Sequence, residues 1–582
     1  MAAASPPVRP LARVLTRARL PLFAWLVMVG VGQAAGAIGT ALLVRHAYHS
    51  LVTGPAPAGH WHTALVAAGL IGTVGLAAGM RAAERVAAER LGQHYVTQVR
   101  ADLFDHLTRV PARRLGQRNR GNMLLRFVGD LTALRSWVSL GMAQLLVATI
   151  AVTLAIGALI VIDTGIGLAV ATVLALGCVA TWRTSPRLIA SSRRARGRRA
   201  KLTGEVTERL THIGVLQASG QERREHRRVG RLSVKVSEAM VERARAAGLC
   251  RAAAEATAGL ATVAVVLIGA AEVQAGGTSA GTVIGAVAVA GMLTGHLRDL
   301  GRVAEYAAAA KVARAAALRF LAMPTLADPS GLPDLEVGPG RLEIEDLGLA
   351  GALAGVTLRA EPGQTVAIVG GNGAGKSTLV ALAARMLDPD WGRVRLDGQE
   401  LRARSLGSVR AAIGIAGPDL PLLRGTVERN VRYRQPRADE QEIARVTALC
   451  RLDEVVDVLP GGWHAEVGEG GERVSAGQRA RLSVARAALG RPSLLILDEA
   501  EAHLDRAAAD TVTRVLADHT GTALVVTHRR EVVERADVVW CLHEGRVVEV
   551  GTPRVLLAGR GPTARLFDAD LKPTSRPGQR IS

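Results

Sequence analysis

Cysteine is scarce and scattered: Cys178, Cys250, Cys450 and Cys541 are the only four in 582 residues. No two stand at a metal-binding or redox spacing, so no thiol chemistry or metal cluster is expected from them. Aromatic residues are also few, at 3 %. Any internal cavity must then be lined chiefly by Ala, Val, Leu and Gly, which suits an apolar or amphipathic occupant. Acidic residues are outnumbered, 51 against 72 basic, leaving a net charge of +21. An even basic surface would point to nucleic acid, but this excess is gathered into a few segments.

What the chain does have is long apolar stretches, and they fill its N-terminal half. Six can be read: Pro21 to Val44, Thr63 to Met80, Trp137 to Ile162, Gly165 to Trp182, Ala252 to Ala271 and Thr278 to Gly295. Each is about long enough to cross a hydrocarbon core of roughly 30 Å. A cleavable signal is not expected for the first, because five more follow. The basic residues lie between them on one side only. Arg9, Arg13, Arg17 and Arg19 precede the first span, eleven arginines lie from Arg81 to Arg135, and eighteen Lys or Arg lie from Arg183 to Arg251. The opposite loops hold only Arg45. The positive-inside rule then places both termini in the cytoplasm, so the charge reads as topology and no nucleic-acid partner is expected.

The two inner connections run to 56 and 69 residues. Soluble helix must fill them, and at about 1.5 Å per residue it would carry the membrane helices tens of ångströms into the cytosol and back. Ionisable residues inside spans are few. Glu255 lies one turn from Arg251 and reads as its snorkelling partner, while His296, Arg298 and Asp299 mark the exit of the sixth span. The first outer loop holds His46, His49, His60 and His62. With no carboxylate or thiol beside them, they read as interfacial histidines, metal binding being the alternative.

The C-terminal half is different in kind. Gly370, Gly371, Asn372, Gly373, Ala374, Gly375, Lys376 and Ser377 spell G-x-x-x-x-G-K-S between an apolar run, Thr365 to Val369, and a helical pattern beginning near Thr378. Strand, glycine-rich loop and helix in that order make a phosphate-binding loop. Its backbone N–H groups converge on phosphate oxygens, Lys376 neutralises the β and γ phosphates, and the Ser377 hydroxyl is placed to ligate Mg²⁺. Downstream, Ser493 to Glu499 reads SLLILDE, a buried strand ending in two carboxylates. Asp498 would hold Mg²⁺ through water and Glu499 would polarise the attacking water, since phosphoryl transfer needs mainly positioning and charge neutralisation. A core strand with a solvated acidic end is the plainer reading, and the loop upstream weighs against it.

Three further segments make the pattern specific: VSAGQ at Val474 to Gln478, Ala502-His503-Leu504-Asp505 after the LDE, and TALVVTH at Thr522 to His528. With VGEGG at Val467 to Gly471, they resemble the nucleotide-binding domain of an ABC transporter over roughly Arg341 to Phe567. The N-terminal half resembles the exporter-type transmembrane domain. The resemblance implies a six-span α-helical membrane domain (1–322) and a cytosolic α/β P-loop ATPase domain of the ABC type (341–567); the proline- and glycine-rich 323–340 reads as a linker and the polar 568–582 as a disordered tail. The resemblance also implies ATP and Mg²⁺ as ligands and head-to-tail pairing of two such domains. In that pairing Ser475 and Gly477 of one domain cap the γ-phosphate held by Lys376 of the other, and Thr378 and Gln478 join the nucleotide-binding residues. Asp505 would communicate across the pair, and His528 would contact the γ-phosphate. Short coupling helices at the ends of the inner loops are expected around Pro111 to Gly121 and Thr211 to Gly220.

The departures from that family pattern bear on mechanism. The window Asp346 to Leu353, DLGLAGAL, lacks the aromatic that stacks on adenine in most members, so weak discrimination between bases is expected. The position at which the family carries a Mg²⁺-touching Gln falls on Pro418, which has no side-chain ligand. Asp419 beside it reads as a turn carboxylate, with substitution for that Gln as the alternative. Val474 and Ala476 stand where the family has Leu and Gly, and the Ala476 methyl could crowd a backbone that must approach phosphate. A heterodimer accommodates these defects by confining each to one composite site, whereas a homodimer would carry them in both. The function implied is ATP-driven export of an apolar or amphipathic cargo. An importer on the same scaffold, for example for a siderophore, and a mainly nucleotide-binding regulatory half are the alternatives. The Ala, Arg and Gly bias with scarce Lys points to a high-GC bacterial coding sequence and hence to the bacterial inner membrane.

Overall fold

The computed structural model describes residues 10–51, 60–115, 129–328, 331–500 and 506–568. They form two compact units, Met1–Thr325 and Leu326–Ser582.

The first unit holds six long helices: α1 (Leu20–Leu51), α2 (His60–Arg109), α3 (Leu131–Ile162), α4 (Thr164–Thr211), α5 (Glu222–Gln274) and α6 (Ala280–Leu321). All six are long and apolar enough to cross a membrane, and each contains one of the apolar stretches, the sixth without its first two residues. Their length carries the information. The 53 residues of α5 span about 80 Å at 1.5 Å each, well over twice a hydrocarbon core. The surplus is polar and arginine-rich. Within the apolar zone the helices approach through small residues, as expected where lipid tails compete equally for Leu and Val. A Cβ on Gly177 of α4 would come within 2.1 Å of Thr257 Oγ1 of α5, and one on Gly269 of α5 within 2.7 Å of Val283 Cγ1 of α6. Outward-facing Leu65, Ile71, Leu176, Trp182 and Leu267 are exposed in the chain alone, an apolar surface whose natural solvent is lipid.

Between α4 and α5 the chain turns through a short helix, Ile213–Ala218, within the segment expected to hold a coupling helix. Below it Arg209 pairs with Glu205 at 2.7 Å and with Glu225, and Arg228 reaches Glu205 at 3.2 Å. The ion-pair cluster ties the two arms together at their tip, while Leu210, Ile213 and Val215 face outward. The other expected segment begins with a single helical turn, Ala112–Leu115, and continues outside the described residues.

One pairing expected from sequence is corrected. Arg251 Nε donates to Glu305 Oε1 of α6 at 2.5 Å and so pairs across helices instead of with Glu255, its neighbour one turn away. An interhelical partner 54 residues distant is invisible to local spacing. Where α1 and α2 approach their connection, the rings of His46 and His62 stack with centroids 5.4 Å apart. Among the described residues no group of three or more His, Cys, Asp or Glu is gathered as metal ligands.

The second unit begins with an irregular stretch that is nonetheless seated. Leu326 and Leu335 are buried, Gly340 N donates to Asp397 Oδ1 at 2.8 Å and Leu335 N to Ser408 Oγ at 2.8 Å. Two sheets follow. The strands are β1 (Leu342–Leu349), β2 (Leu353–Ala360), β3 (Thr365–Gly370), β4 (Trp391–Leu396), β5 (Gln399–Glu400), β6 (Ile413–Ala416), β7 (Leu494–Asp498), β8 (Thr522–Val526), β9 (Val538–His543) and β10 (Arg546–Gly551). An antiparallel sheet has the order β2-β1-β4-β5, and a six-stranded sheet the order β10-β9-β3-β8-β7-β6. In the latter all pairs are parallel except β9–β10. Its central strands are buried on both faces, as near-continuous Val, Ile and Leu runs require.

Candidate nucleotide site

Ligands of open α/β sheets sit beyond the carboxyl ends of the parallel strands. Register fixes what gathers there. Ile368 of β3 lies opposite Val526 of β8, Asp498 of β7 is also opposite Val526, and Ala416 of β6 is opposite Leu497. The next residues on each chain, Gly370, Glu499, Thr527-His528 and Gly417-Pro418, therefore share one edge.

The loop after β3 is built on glycine geometry. Gly373 has φ 77° and Gly375 φ 101°, in the left-handed region where a side chain is disfavoured. A Cβ on Gly375 would also lie 2.7 Å from Leu353 Cδ2 and 3.0 Å from Ala352 O, whereas Gly371 and Gly373 face open space. The helix α7 (Lys376–Ala383) starts at Lys376, two residues before the expected Thr378, and so aims its free N–H groups into the loop. Lys376 is 7 % exposed. Its Nζ donates to Gly370 O at 2.8 Å and Gly371 O at 3.1 Å, folding the ammonium over the concave side. Burial holds that ammonium below the ordinary lysine range, while Glu499 and Asp498 oppose the shift. A buried cation, converging amides and an open face suit a polyphosphate, and the adjacent Ser377 and Asp498 supply the oxygen donors that Mg²⁺ prefers.

Glu499 has φ 51°. A non-glycine residue in the left-handed region is strained by about 1–3 kcal/mol and is held there by its surroundings. The restraint is visible: Glu499 N donates to Val526 O at 3.0 Å, and His528 Nε2 stands 3.2 Å from Glu499 Oε1. Thr527 Oγ1 accepts from Arg529 N at 3.0 Å and fixes the turn that carries His528.

Gly417 packs on this edge, since a Cβ there would lie 3.1 Å from Asp498 Cβ. Pro418 and Asp419 follow it, both exposed. Pro418, Leu422, Gly470, Ala476, Arg479 and Glu499 help line a cavity of about 300 Å³. The turn at the Gln position, the altered signature residue and the water-activating candidate thus share one space.

The signature residues open the helix α8 (Ala476–Ala488). Ser475 Oγ accepts from Gln478 N at 3.1 Å and Gln478 Oε1 accepts from Ser475 N at 2.9 Å, a reciprocal capping box. Gln478 therefore has its side-chain oxygen committed to its own helix, and Gly477 presents bare backbone to open space. The site residues fall into two groups within the unit. The P-loop packs on a core with β3 and β7, and the signature on a second core built around α8. Asp505 and its neighbours Ala502, His503 and Leu504 lie outside the described residues.

Two contributors are not evident from sequence. Gly545, in the β9–β10 turn, donates its N–H to Ala374 O at 3.1 Å and accepts from Ala354 N at 2.9 Å, buttressing the P-loop. Trp391 lays its indole on Gly348 inside the window that lacks an aromatic, where a Cβ would come within 1.9 Å of the ring. A glycine aligned with a tryptophan across β1 and β4 was the available signal, but the register shift between those strands hides it.

Residues 22–297 match the ABC transporter transmembrane region family and residues 353–502 the ABC transporter family. An ATP-dependent lipid A-core flippase of Thiobacillus denitrificans is 30 % identical over 485 residues, 82 % of this chain and 84 % of that protein. A multidrug efflux ATP-binding/permease protein of Mycobacterium bovis is 30 % identical over 541 residues; this covers 90 % of this chain but 45 % of that protein, so the chain spans about half of its length. The structure of a bacterial Atm1-family ABC exporter with ATP bound superimposes with a TM-score of 0.84 at 22 % identity, covering 97 % of this chain and all of that one, a likeness of fold. The chain belongs to the ABC transporters, as an exporter-type half-transporter with an N-terminal six-helix membrane region and a C-terminal ATPase domain. It is a multi-pass membrane protein that binds and hydrolyses ATP.

Proposed function

We propose that this chain exports an apolar or amphipathic molecule, of the lipid or drug class, across the bacterial inner membrane by alternating access. The observation that carries the reading is the juxtaposition of Lys376, Glu499 and His528 at one sheet edge in a chain that also carries six membrane helices. The names of two relatives, a lipid A-core flippase and a multidrug efflux protein, agree with the cargo class, as does the scarcity of aromatic and charged residues in the spans. Bound Mg²⁺ supplies charge neutralisation at the phosphates. The chain's own residues do the rest. The P-loop amides and Lys376 orient the phosphates, Ser377 and Asp498 hold the metal, Glu499 polarises water, and His528, 3.2 Å from that carboxylate, orients it toward the γ-phosphate. Ser475 and Gly477 close the site of a companion ATPase domain, and Asp505 faces that companion. The basic arms put the ATPase domain and both termini in the cytoplasm, with Ile213–Ala218 acting as a coupling helix.

The companion is a second, different half-transporter, because two copies of this chain would carry the Pro418 turn and the Ala476 signature in both composite sites, whereas an unlike partner confines each to one. Native mass measurement of the complex drawn from its own membrane checks this, and a mass of twice this chain would establish a homodimer. Inside-out vesicles carrying the complex should accumulate a fluorescent lipid or dye on addition of ATP, and Glu499→Gln should abolish the uptake. ATP-dependent uptake into right-side-out cells alone would reverse the direction assigned.

A further inference from the structure

Where the polar ends of α3, α4, α5 and α6 come together, the first unit holds a cavity of about 180 Å³ that is partly open to solvent. Asp130, Ser192, Arg196, Arg199, Met240 and Arg243 help line it. The charges do not balance. Arg196 is committed, its Nε and Nη2 donating to the two carboxylate oxygens of Asp130 at 2.9 and 2.5 Å. Arg199 reaches only the thioether sulfur of Met240, at 3.6 Å, a weak acceptor. Arg243 has no hydrogen bond or ion pair among the described residues. Three guanidinium groups thus line the space with one carboxylate, and among the described residues Arg199, which is exposed, and Arg243 have no anionic partner. A second and independent feature points the same way. Ser192 is 7 % exposed, and its hydroxyl, buried at the cavity wall, has no hydrogen-bond partner among the described residues. Leaving such a group unsatisfied is unfavourable, and an acceptor in the cavity would satisfy it.

We propose that this cavity binds a phosphate group. Arg199 and Arg243 supply charge-assisted hydrogen bonds of the kind for which guanidinium is suited, and the Ser192 hydroxyl donates a third. The volume, about six waters' worth, admits a phosphate, and the open side leaves room for its substituent. Ser192 lies ten residues beyond Trp182, the end of the apolar stretch, or about 15 Å along α4. At that depth the phosphate can come from a phospholipid headgroup or from a soluble phosphate. Because its lining comes from four helices, an occupant would tie the α4–α5 arm to α3 and α6. The site shares no residue with the P-loop, and the proposal does not rest on the cargo assigned above.

The test uses the full-length chain carrying Lys376→Ala, which removes the P-loop's own phosphate affinity, in nanodiscs. Equilibrium dialysis against radiolabelled orthophosphate measures the soluble source in phosphatidylcholine discs, and native mass spectrometry counts retained phosphatidylglycerol for the lipid source. One ligand per chain is expected in at least one arm. The double variant Arg199→Gln/Arg243→Gln should weaken it tenfold or more and Ser192→Ala severalfold, while Arg228→Gln, on the exposed arm, should leave it unchanged. Orthophosphate binding assigns a soluble phosphate, and lipid retention alone assigns a headgroup. Binding in neither arm, or binding that the double variant and Ser192→Ala both leave intact, overturns the proposal.

Discussion

Glu499 combines three properties seldom found together: a left-handed backbone, a main-chain hydrogen bond to the neighbouring strand and a histidine nitrogen 3.2 Å from its carboxylate. The first is costly and the other two restrain the side chain, so its position is maintained against local preference. Glu499→Gln keeps that geometry and removes the charge. It should lower ATP turnover by about a hundredfold or more while leaving nucleotide binding intact, as read from phosphate release and a bound fluorescent ATP analogue. Turnover that survives would show that Glu499 has no part in hydrolysis. Pro418 gives the converse case. Restoring a side-chain ligand with Pro418→Gln should raise turnover and lower the Mg²⁺ concentration needed for half-maximal rate, and an unchanged Mg²⁺ dependence would exclude a metal role for this turn. The window 346–353 bears on the base. Competition binding should find ATP and GTP nearly equal, and a strong ATP preference that disappears in Trp391→Ala would assign base stacking to the indole now resting on Gly348.

At the scale of elements, the pieces carrying chemistry were legible because they are local. The run Thr365 to Val369 is β3, LLILD is β7, and TALVV is β8, since a buried parallel strand needs an unbroken apolar run and little else. The signature helix opens on a capping box between Ser475 and Gln478 that the structure supplies. What sequence did not disclose are contacts between elements. Arg251 finds Glu305 instead of Glu255, and Trp391 meets Gly348 across a bulged pairing. A further interelement cluster has a measurable consequence. Glu442, in the first turn of the helix Glu440–Cys450, accepts from Arg445, Arg491 and Gly490 N, and Arg445 goes on to Asp518 at 2.6 Å. Hydrogen bonds from Arg445 foremost hold the Glu442 carboxyl at about 2, against 4.5 for an ordinary glutamate. A folded-state value below the unfolded one stabilises the fold above pH 4.5, and this contribution drains away as pH falls from there toward 2. Thermal unfolding midpoints should therefore drop more steeply through this window in the native chain than in Glu442→Gln, and parallel curves would show that the cluster contributes nothing.

For the whole molecule, charge and length together decide how the chain lies in the membrane. Helices of 48 and 53 residues cannot be contained in about 30 Å of hydrocarbon, so one end of each must project. The projecting end is the one carrying the eighteen basic residues between Arg183 and Arg251. Moving that segment across the bilayer would set its charge against the positive-inside preference and put it on the side without ATP. Exposed serine and threonine positions turn this into a measurement. In a background with the exposed Cys178 replaced by Ser, Ser237→Cys on the α5 arm should resist a membrane-impermeant maleimide in intact cells and react in inside-out vesicles. Thr63→Cys, near the start of α2, should show the opposite pattern. Labelling of Ser237→Cys from outside would place the arms, and with them the direction in which ATP-driven closure can act, on the wrong side for the exporter proposed here.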